Sequence, residues 1–256
     1  MNTQKGFAPI VIVLIIVGII AIGGGTYFIS KNYLKPTETP TPSPIDETSN
    51  WKTYRNDKYR FEFKYPTKFE LSLFDYTDSD AIKKRGLNLD EIPQDLLFWL
   101  SFNEPEEKKN ISGVEMATPS YSLQIKKTDF SNINDWFTKW IRAVPQGKQN
   151  YEGEIIDIKV TSEDIVIDRI PAKKVRFSGA PINFPYLESY LIKNKNLYIF
   201  EYDGVLKQGF RDYIKEKYSS VPYYSEREDY KQEFNTERQK YIDIFQKILS
   251  TFKFIP

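Results

Sequence analysis

The chain has 256 residues, a formal net charge of +1, no cysteine and no histidine. The two absent residue types exclude disulfide bonds, thiolate nucleophiles, zinc sites built from cysteine or histidine, and hydrolases that use histidine as the general base. The even balance of charge argues against a nucleic-acid surface, because such a surface must neutralise phosphates. Aromatic residues make up 16% of the chain, which supplies apolar area for one well-packed domain.

Residues 7–29 form the first predicted element, a membrane anchor. They contain no charged side chain, and they follow a short basic tail, residues 1–6, that carries Lys5. At about 1.5 Å per residue, a helix of this length crosses a hydrocarbon core of roughly 30 Å. A soluble core helix would show a polar face, which is missing here. The stretch is also longer than the apolar region of a cleaved signal peptide, so we predict that the anchor is retained.

The lysines around the anchor leave its orientation nearly balanced. Lys5 precedes the span, whereas Lys31 and Lys35 follow it, so the positive-inside rule gives no clear direction. The very short front tail resembles an export leader. We therefore predict a single-pass protein of the cell membrane whose large C-terminal part is extracytoplasmic.

The leader also resembles that of type IV prepilins. Lys5-Gly6-Phe7 matches their basic-Gly-Phe processing site, so cleavage between Gly6 and Phe7 stays open. The resemblance implies an alternative function, a pilin-like minor subunit of a filament or secretion machine. Val11, however, stands where those leaders carry a glutamate that is thought to neutralise a buried N-terminal amine. We therefore predict an individual anchor rather than a filament subunit.

Residues 30–50 predict a stalk between the anchor and the folded part. From Pro36 to Pro44 the sequence is rich in proline and threonine, which do not form a core and prefer an extended polyproline-like conformation. A proline-rich ligand for a partner domain is the alternative. Folded sequence is predicted from Trp51 onward.

Residues 51–256 show the patterns of one domain with strands and helices. Alternation of bulky and polar residues predicts half-buried strands at 51–54, 59–65, 69–74, 96–102 and 121–126. Two β-hairpins are predicted at 165–177, with the bend at 168–171, and at 189–202, with the turn at 194–196.

Two helices are predicted from apolar residues that fall on one face. The first contains Ile133, Trp136, Phe137, Trp140, Ile141 and Val144, with Ser131 or Asn134 as its N-cap. The second is predicted to begin at Thr236, which would form a capping box with Gln239. Its apolar face consists of Tyr241, Ile244, Phe245, Ile248, Leu249 and Phe252.

The order of these segments resembles a PsbP-like domain. The matching segments are Trp-Lys-Thr-Tyr at 51–54, the strand and proline at 59–66, the helix around Trp136, the turn at 167–172, the hairpin at 189–202 and the close at 245–254. The resemblance implies an α+β fold, with a central antiparallel sheet flanked by helices, over residues 51–256. Its motifs mark strands, turns and packing, so it implies no catalytic or binding residue.

Four tyrosines near the end of the chain are the candidate binding residues. Tyr218, Tyr223, Tyr224 and Tyr230 are interleaved with charged side chains, a composition typical of exposed aromatic surfaces that bind proteins or glycans. The alternative is that these rings pack over the sheet edge as part of the core.

The acidic cluster at Asp75, Asp78 and Asp80 offers oxygen ligands of the kind that calcium prefers. It lacks the glycine and the distal glutamate of a calcium loop, so we interpret it, and the charged segment at 104–109, as solvated loops. We predict no metal, no cofactor and no catalytic residue.

The leading functional hypothesis is a membrane-anchored extracytoplasmic domain without catalytic activity, which binds or assembles a protein or a component of the cell envelope. The pilin-like subunit is one alternative, and a hydrolase that uses two carboxylates is another. A polar cleft with two close carboxylates would favour the hydrolase. A flat surface rich in tyrosine would favour binding.

Overall fold

The computed structural model describes residues 47–86, 88, 90, 92–105, 120–151, 154–178, 186–220 and 227–256. The predicted anchor and the predicted stalk up to residue 46 lie outside this part of the chain. Within the described ranges, none of the helices combines the length and the apolar character that crossing a membrane requires.

The described residues form the following strands and helices, each given in chain order. The strands are β1 (Lys52–Asn56), β2 (Phe61–Tyr65), β3 (Glu70–Asp75), β4 (Leu96–Asn103), β5 (Ser120–Lys127), β6 (Gly147–Tyr151), β7 (Glu154–Ile167), β8 (Ile170–Ser178), β9 (Leu187–Lys193), β10 (Asn196–Tyr202) and β11 (Lys253–Phe254). The helices are α1 (Ser79–Lys84), α2 (Ile133–Ala143), α3 (Gln208–Lys217) and α4 (Glu228–Thr251).

The strands form two antiparallel sheets. The large sheet has eight strands in the order β3-β4-β5-β10-β9-β8-β7-β6, and the small sheet has the order β1-β2-β11. The predicted α+β class with an antiparallel sheet is therefore confirmed. Both predicted hairpins are present, as β7–β8 with its turn at Asp168 and Arg169 and as β9–β10 with its turn at Asn194 and Lys195.

One face of the large sheet packs against the small sheet and α4. Alternate residues of β2, β4, β5 and β10 point into this layer, because successive side chains of a strand point to opposite faces. Phe61 lies at its centre, fully buried, with its ring centroid 5.4 Å from that of Phe252 and 6.3 Å from that of Phe98. From α4, the buried side chains are Tyr241, Ile242, Phe245, Ile248 and Leu249.

The opposite face of the large sheet is covered in part by α2. Trp136 and Trp140 stack at 5.5 Å, and both pack on Tyr190 of β9, at 4.8 and 5.1 Å. Ile133, at the start of α2, is buried in the same cluster. The predicted apolar face of this helix is therefore a core contact.

Two predicted helix starts are wrong. The N-cap of α2 is Asn132, whose Oδ1 accepts a hydrogen bond from the backbone N–H of Asp135 at 2.9 Å. The last helix begins at Glu228, well before Thr236, and the Thr236 hydroxyl donates to the carbonyl of Gln232 inside the helix. Acidic side chains in the first turn favour the earlier start, because they interact with the positive end of the helix dipole.

The chain joins the domain through residues of the predicted stalk. Glu47–Asn50 form a turn in which Thr48 is 8% exposed, and Lys64 on β2 donates to the Thr48 carbonyl at 3.4 Å. Thr67 donates to the carbonyl of Asn50 at 2.5 Å. Residues 47–50 of the predicted stalk thus contact the domain beside the C-terminal end of β2.

Candidate functional site

Of the four candidate tyrosines, the structure describes Tyr218 and Tyr230. Their ring centroids lie 5.6 Å apart in an edge-to-face arrangement, and Tyr230 also stacks on Phe234 at 5.7 Å. Tyr218 is 3% exposed, so its ring belongs to the packing between α3 and α4. Tyr223 and Tyr224 lie outside the described residues. Tyr218 is therefore a packing residue and Tyr230 is partly exposed. The binding role of the four tyrosines stays a prediction.

The acidic cluster at the end of β3 has structural partners. Asp75 accepts hydrogen bonds from Lys58 and from the Thr77 hydroxyl, both at 2.7 Å. Partial burial would raise the pKa of Asp75, but these hydrogen bonds outweigh it and lower the pKa below its usual value. Asp78 is the N-cap of α1 and accepts from the backbone N–H groups of Asp80 and Ala81. Two of the three predicted acidic residues thus hold the loop and the helix start.

The charged segment at 104–109 is described only at its beginning. Glu104 forms salt bridges of 2.8 Å with both Lys68 and Lys207. Burial would raise the pKa of Glu104, and the two lysines together lower it. Glu104 therefore ties the loop after β4 to the segments before β3 and α3, and residues 106–109 lie outside the described part.

A pocket of about 360 Å³ lies where the β1–β2 turn, the β9–β10 turn and the C-terminal segment meet. We call it the end pocket. Its lining residues are Lys58, Tyr59, Arg60, Lys193, Asn194, Asn196, Tyr198, Phe254 and Ile255. Its volume lies at the lower end of the range of small-molecule sites.

Backbone geometry explains why these residues converge. Asn194 and Lys195 have φ values of 52° and 59°. Two successive residues with positive φ form the two-residue turn whose twist matches that of a β-hairpin. In the β1–β2 turn, Asn56 Oδ1 accepts from the Tyr59 N–H at 3.0 Å, and Arg60 has φ of 56°. The N–H of Ile255 donates to the Arg60 carbonyl at 2.9 Å, which holds the C-terminal segment against this turn.

The charged residues of the end pocket are cationic. Lys58 pairs with Asp75, which is outside the lining, and the Arg60 Nε donates at 2.7 Å to the terminal main-chain oxygen of Pro256, the last residue of the sequence. Lys193 Nζ lies 3.7 Å from the ring centroid of Phe254. Among the described residues, neither Arg60 nor Lys193 forms a salt bridge with an acidic side chain. The pocket thus presents the Lys193 ammonium and the remaining N–H donors of Arg60, whereas the charge of Lys58 is balanced by Asp75.

The tyrosines of the end pocket are held as neutral phenols. Burial raises the pKa of both Tyr59 and Tyr198 to about 12. For Tyr59, the negative charge of Asp75 acts in the same direction. The Tyr59 hydroxyl donates to the Leu97 carbonyl at 3.2 Å. Among the described residues, the lining therefore consists of hydrogen-bond donors, cations and aromatic rings.

A second polar group lies on the α2 side of the large sheet. Glu188 of β9 and Glu201 of β10 are directly opposite each other, so both side chains point to the same face. The Tyr190 hydroxyl donates to Glu188, and the Gln124 amide donates to Glu201 at 3.4 Å. Glu188 is 8% exposed, which leaves little of it open to a substrate.

Burial dominates the titration of this pair. It raises the pKa of Glu188 to about 8, with a further contribution from Glu201, while the Tyr190 hydrogen bond and Lys126 act in the opposite direction. The pKa of Glu201 is raised by burial and by Asp203. The pair therefore keeps a proton at neutral pH.

No protein-family model and no curated protein matches the chain. The chain is similar to the solution structure of cyanobacterial PsbP (CyanoP) from Synechocystis sp. PCC 6803, at 12% sequence identity and a TM-score of 0.38. The similarity covers 79% of this chain and 91% of that protein. A likeness at this TM-score carries no argument about family or function, so the PsbP-like assignment stays a prediction.

Proposed function

We propose that the chain is a membrane-tethered, extracytoplasmic domain that binds a protein or a component of the cell envelope and has no catalytic activity. The end pocket is the observation that carries the binding role. Its lining combines cations, amides and rings, which recognise a ligand, and lacks a carboxylate, thiol or imidazole that would activate one.

The position of the end pocket is compatible with a tether. The chain joins the domain beside one end of β2, at Lys64, and the pocket lies at the other end, at Arg60. A strand of this length spans about 16 Å, so the pocket is set apart from the point of attachment. A polyproline-like stalk from residue 30 to residue 46 would add at most about 50 Å of reach. A ligand fixed near the membrane therefore lies within range.

The carboxylate pair, Glu188 and Glu201, gives little support to the hydrolase alternative. Both acids lie on one face, but Glu188 is buried and engaged by Tyr190. A hydrolytic pair must flank its substrate in a cleft. The end pocket thus offers the better argument for binding.

Fractionation of a bacterial host tests the tether. We expect the full chain to stay in the membrane fraction after a carbonate wash and to be released by detergent, because residues 7–29 are uncharged and long enough to span the bilayer. Residues 46–256, the matched control, should be soluble and should unfold cooperatively. Recovery of the full chain in the soluble fraction would contradict the proposal.

A further inference from the structure

The lining of the end pocket specifies a class of ligand. This inference rests on the proposed binding role and deepens it. Three cationic side chains, Lys58, Arg60 and Lys193, reach one pocket from two different turns, and the lining contains no acid. All three groups are donors without acceptor capacity, so the complementary ligand group is an oxyanion.

The number of donors favours phosphate over carboxylate. Asn194 and Asn196 add amide groups to the three cations. A carboxylate has two oxygens and a single negative charge, whereas a phosphate monoester has three terminal oxygens and up to two charges. An arginine fork beside lysine point charges is also the usual protein arrangement for phosphate.

The size of the end pocket indicates that its ligand carries an organic group in addition to the phosphate. The pocket of about 360 Å³ is many times larger than the roughly 30 Å³ that a water molecule occupies. Phe254 provides an apolar wall, and the buried ring of Tyr198 supports it from behind, with ring centroids 5.1 Å apart at 84°. Lys193 lies over the Phe254 ring, so charge and apolar surface adjoin.

We propose that the end pocket binds a phosphate ester, with Arg60 and Lys193 holding the phosphate oxygens and the partly exposed ring of Phe254 contacting the esterified group. Lys58 remains paired with Asp75, so it contributes N–H donor capacity rather than net charge. Two sources supply phosphate esters, a free phosphorylated metabolite and a phosphodiester-linked polymer of the envelope. The donor count favours the first source, because a diester has only two terminal oxygens and a single charge.

Calorimetric titration of the full chain in nonionic detergent tests this inference. The probes are phenyl phosphate as a monoester, diphenyl phosphate as a diester, inorganic phosphate, benzoate and benzyl alcohol. We expect at least one ester to bind more tightly than the three other probes, and its affinity to fall as sodium chloride is raised. Preference for the diester would identify the polymer as the source, and preference for the monoester the metabolite.

The matched variants are Lys193→Gln and Lys195→Gln. Both lysines belong to the β9–β10 hairpin, but only Lys193 lines the pocket, and Lys195 is exposed. Lys193→Gln should weaken ester binding about tenfold or more through the loss of a charge-assisted contact, and Lys195→Gln should leave it unchanged. The melting temperature of each variant reports folding separately, and Arg60→Gln provides a second loss in the pocket.

Three results would overturn the inference: neither ester binds, benzoate binds as tightly as the esters, or Lys193→Gln and Arg60→Gln bind like the native chain. Each of these leaves the fractionation result untouched, so failure of the ligand class is distinguishable from failure of the tether.

Discussion

Phe61→Ala should lower the free energy of unfolding by about 3–5 kcal/mol, the usual cost of removing a buried aromatic side chain. Phe61 is fully buried between the two sheets and contacts the rings of Phe98, Tyr198 and Phe252. The substitution removes the side chain that joins the small sheet, the large sheet and the segment after α4. Urea denaturation of residues 46–256 measures the change.

Tyr213→Ala is the control for this prediction. Tyr213 is a large aromatic residue of α3 and is 49% exposed. Its removal should cost less than about 1 kcal/mol, since surface substitutions rarely cost more. A loss below about 1 kcal/mol for Phe61→Ala as well would show that the two sheets do not share a core.

Glu188→Gln should make the domain more stable in alkaline solution. An unfolded glutamate titrates near 4.5, whereas burial raises the pKa of Glu188 to about 8 in the folded chain. Between these pH values the folded chain holds one proton more than the unfolded chain, so the stability of the native protein falls as the pH rises, by up to about 1.4 kcal/mol per unit. Glutamine keeps the acceptor for Tyr190 and does not titrate.

Urea denaturation at two pH values measures this effect. Near pH 5 the variant and the native domain should be similar, because Glu188 is neutral there. Near pH 8.5 the variant should be more stable by about 2–4 kcal/mol. Glu163→Gln, which removes a carboxylate of β7 that is 58% exposed, should change stability little at either pH. Equal stability of the Glu188 variant and the native domain at pH 8.5 would show that Glu188 is not buried as a neutral acid.

Local patterns were sufficient to predict most strands of this fold. The two-residue alternation around Phe61 and Phe63 and the turn residues at 168–169 and 194–195 match β2 and both hairpins. These patterns do not determine which strands pair with each other in the sheet. The placement of β10 beside β5, which builds the large sheet, depends on packing between residues far apart in the chain.

The elements that sequence reasoning missed have weak local signals. β6 is the segment Gly-Lys-Gln-Asn-Tyr, which has no alternation of apolar residues and pairs only with the first part of β7. α1 has six residues, too few for a helical period to be read. The earlier start of α4 was missed because Thr236 and Gln239 match a capping box inside the helix.

The candidate sites also differ in whether local sequence patterns or long-range packing determine them. No motif marks the end pocket, because its cations come from two hairpins that are brought together by the packing of the small sheet on the large one, as in the contact of Phe61 with Tyr198. The Glu188–Glu201 pair was within reach of the sequence, since a two-residue turn at 194–195 places residues 188 and 201 opposite each other. The prediction of a three-residue turn, with the strand starting at Ser189, concealed that pair.

The proposal that the domain lies on the extracytoplasmic side of the membrane has a direct test, because the chain has no native cysteine. Thr41→Cys places one thiol in the predicted stalk, and intact cells are treated with a membrane-impermeant thiol reagent. The native chain gives the background, and lysed cells give full labelling. We expect the thiol to be labelled in intact cells; protection until lysis would place the domain in the cytoplasm and contradict the proposed function.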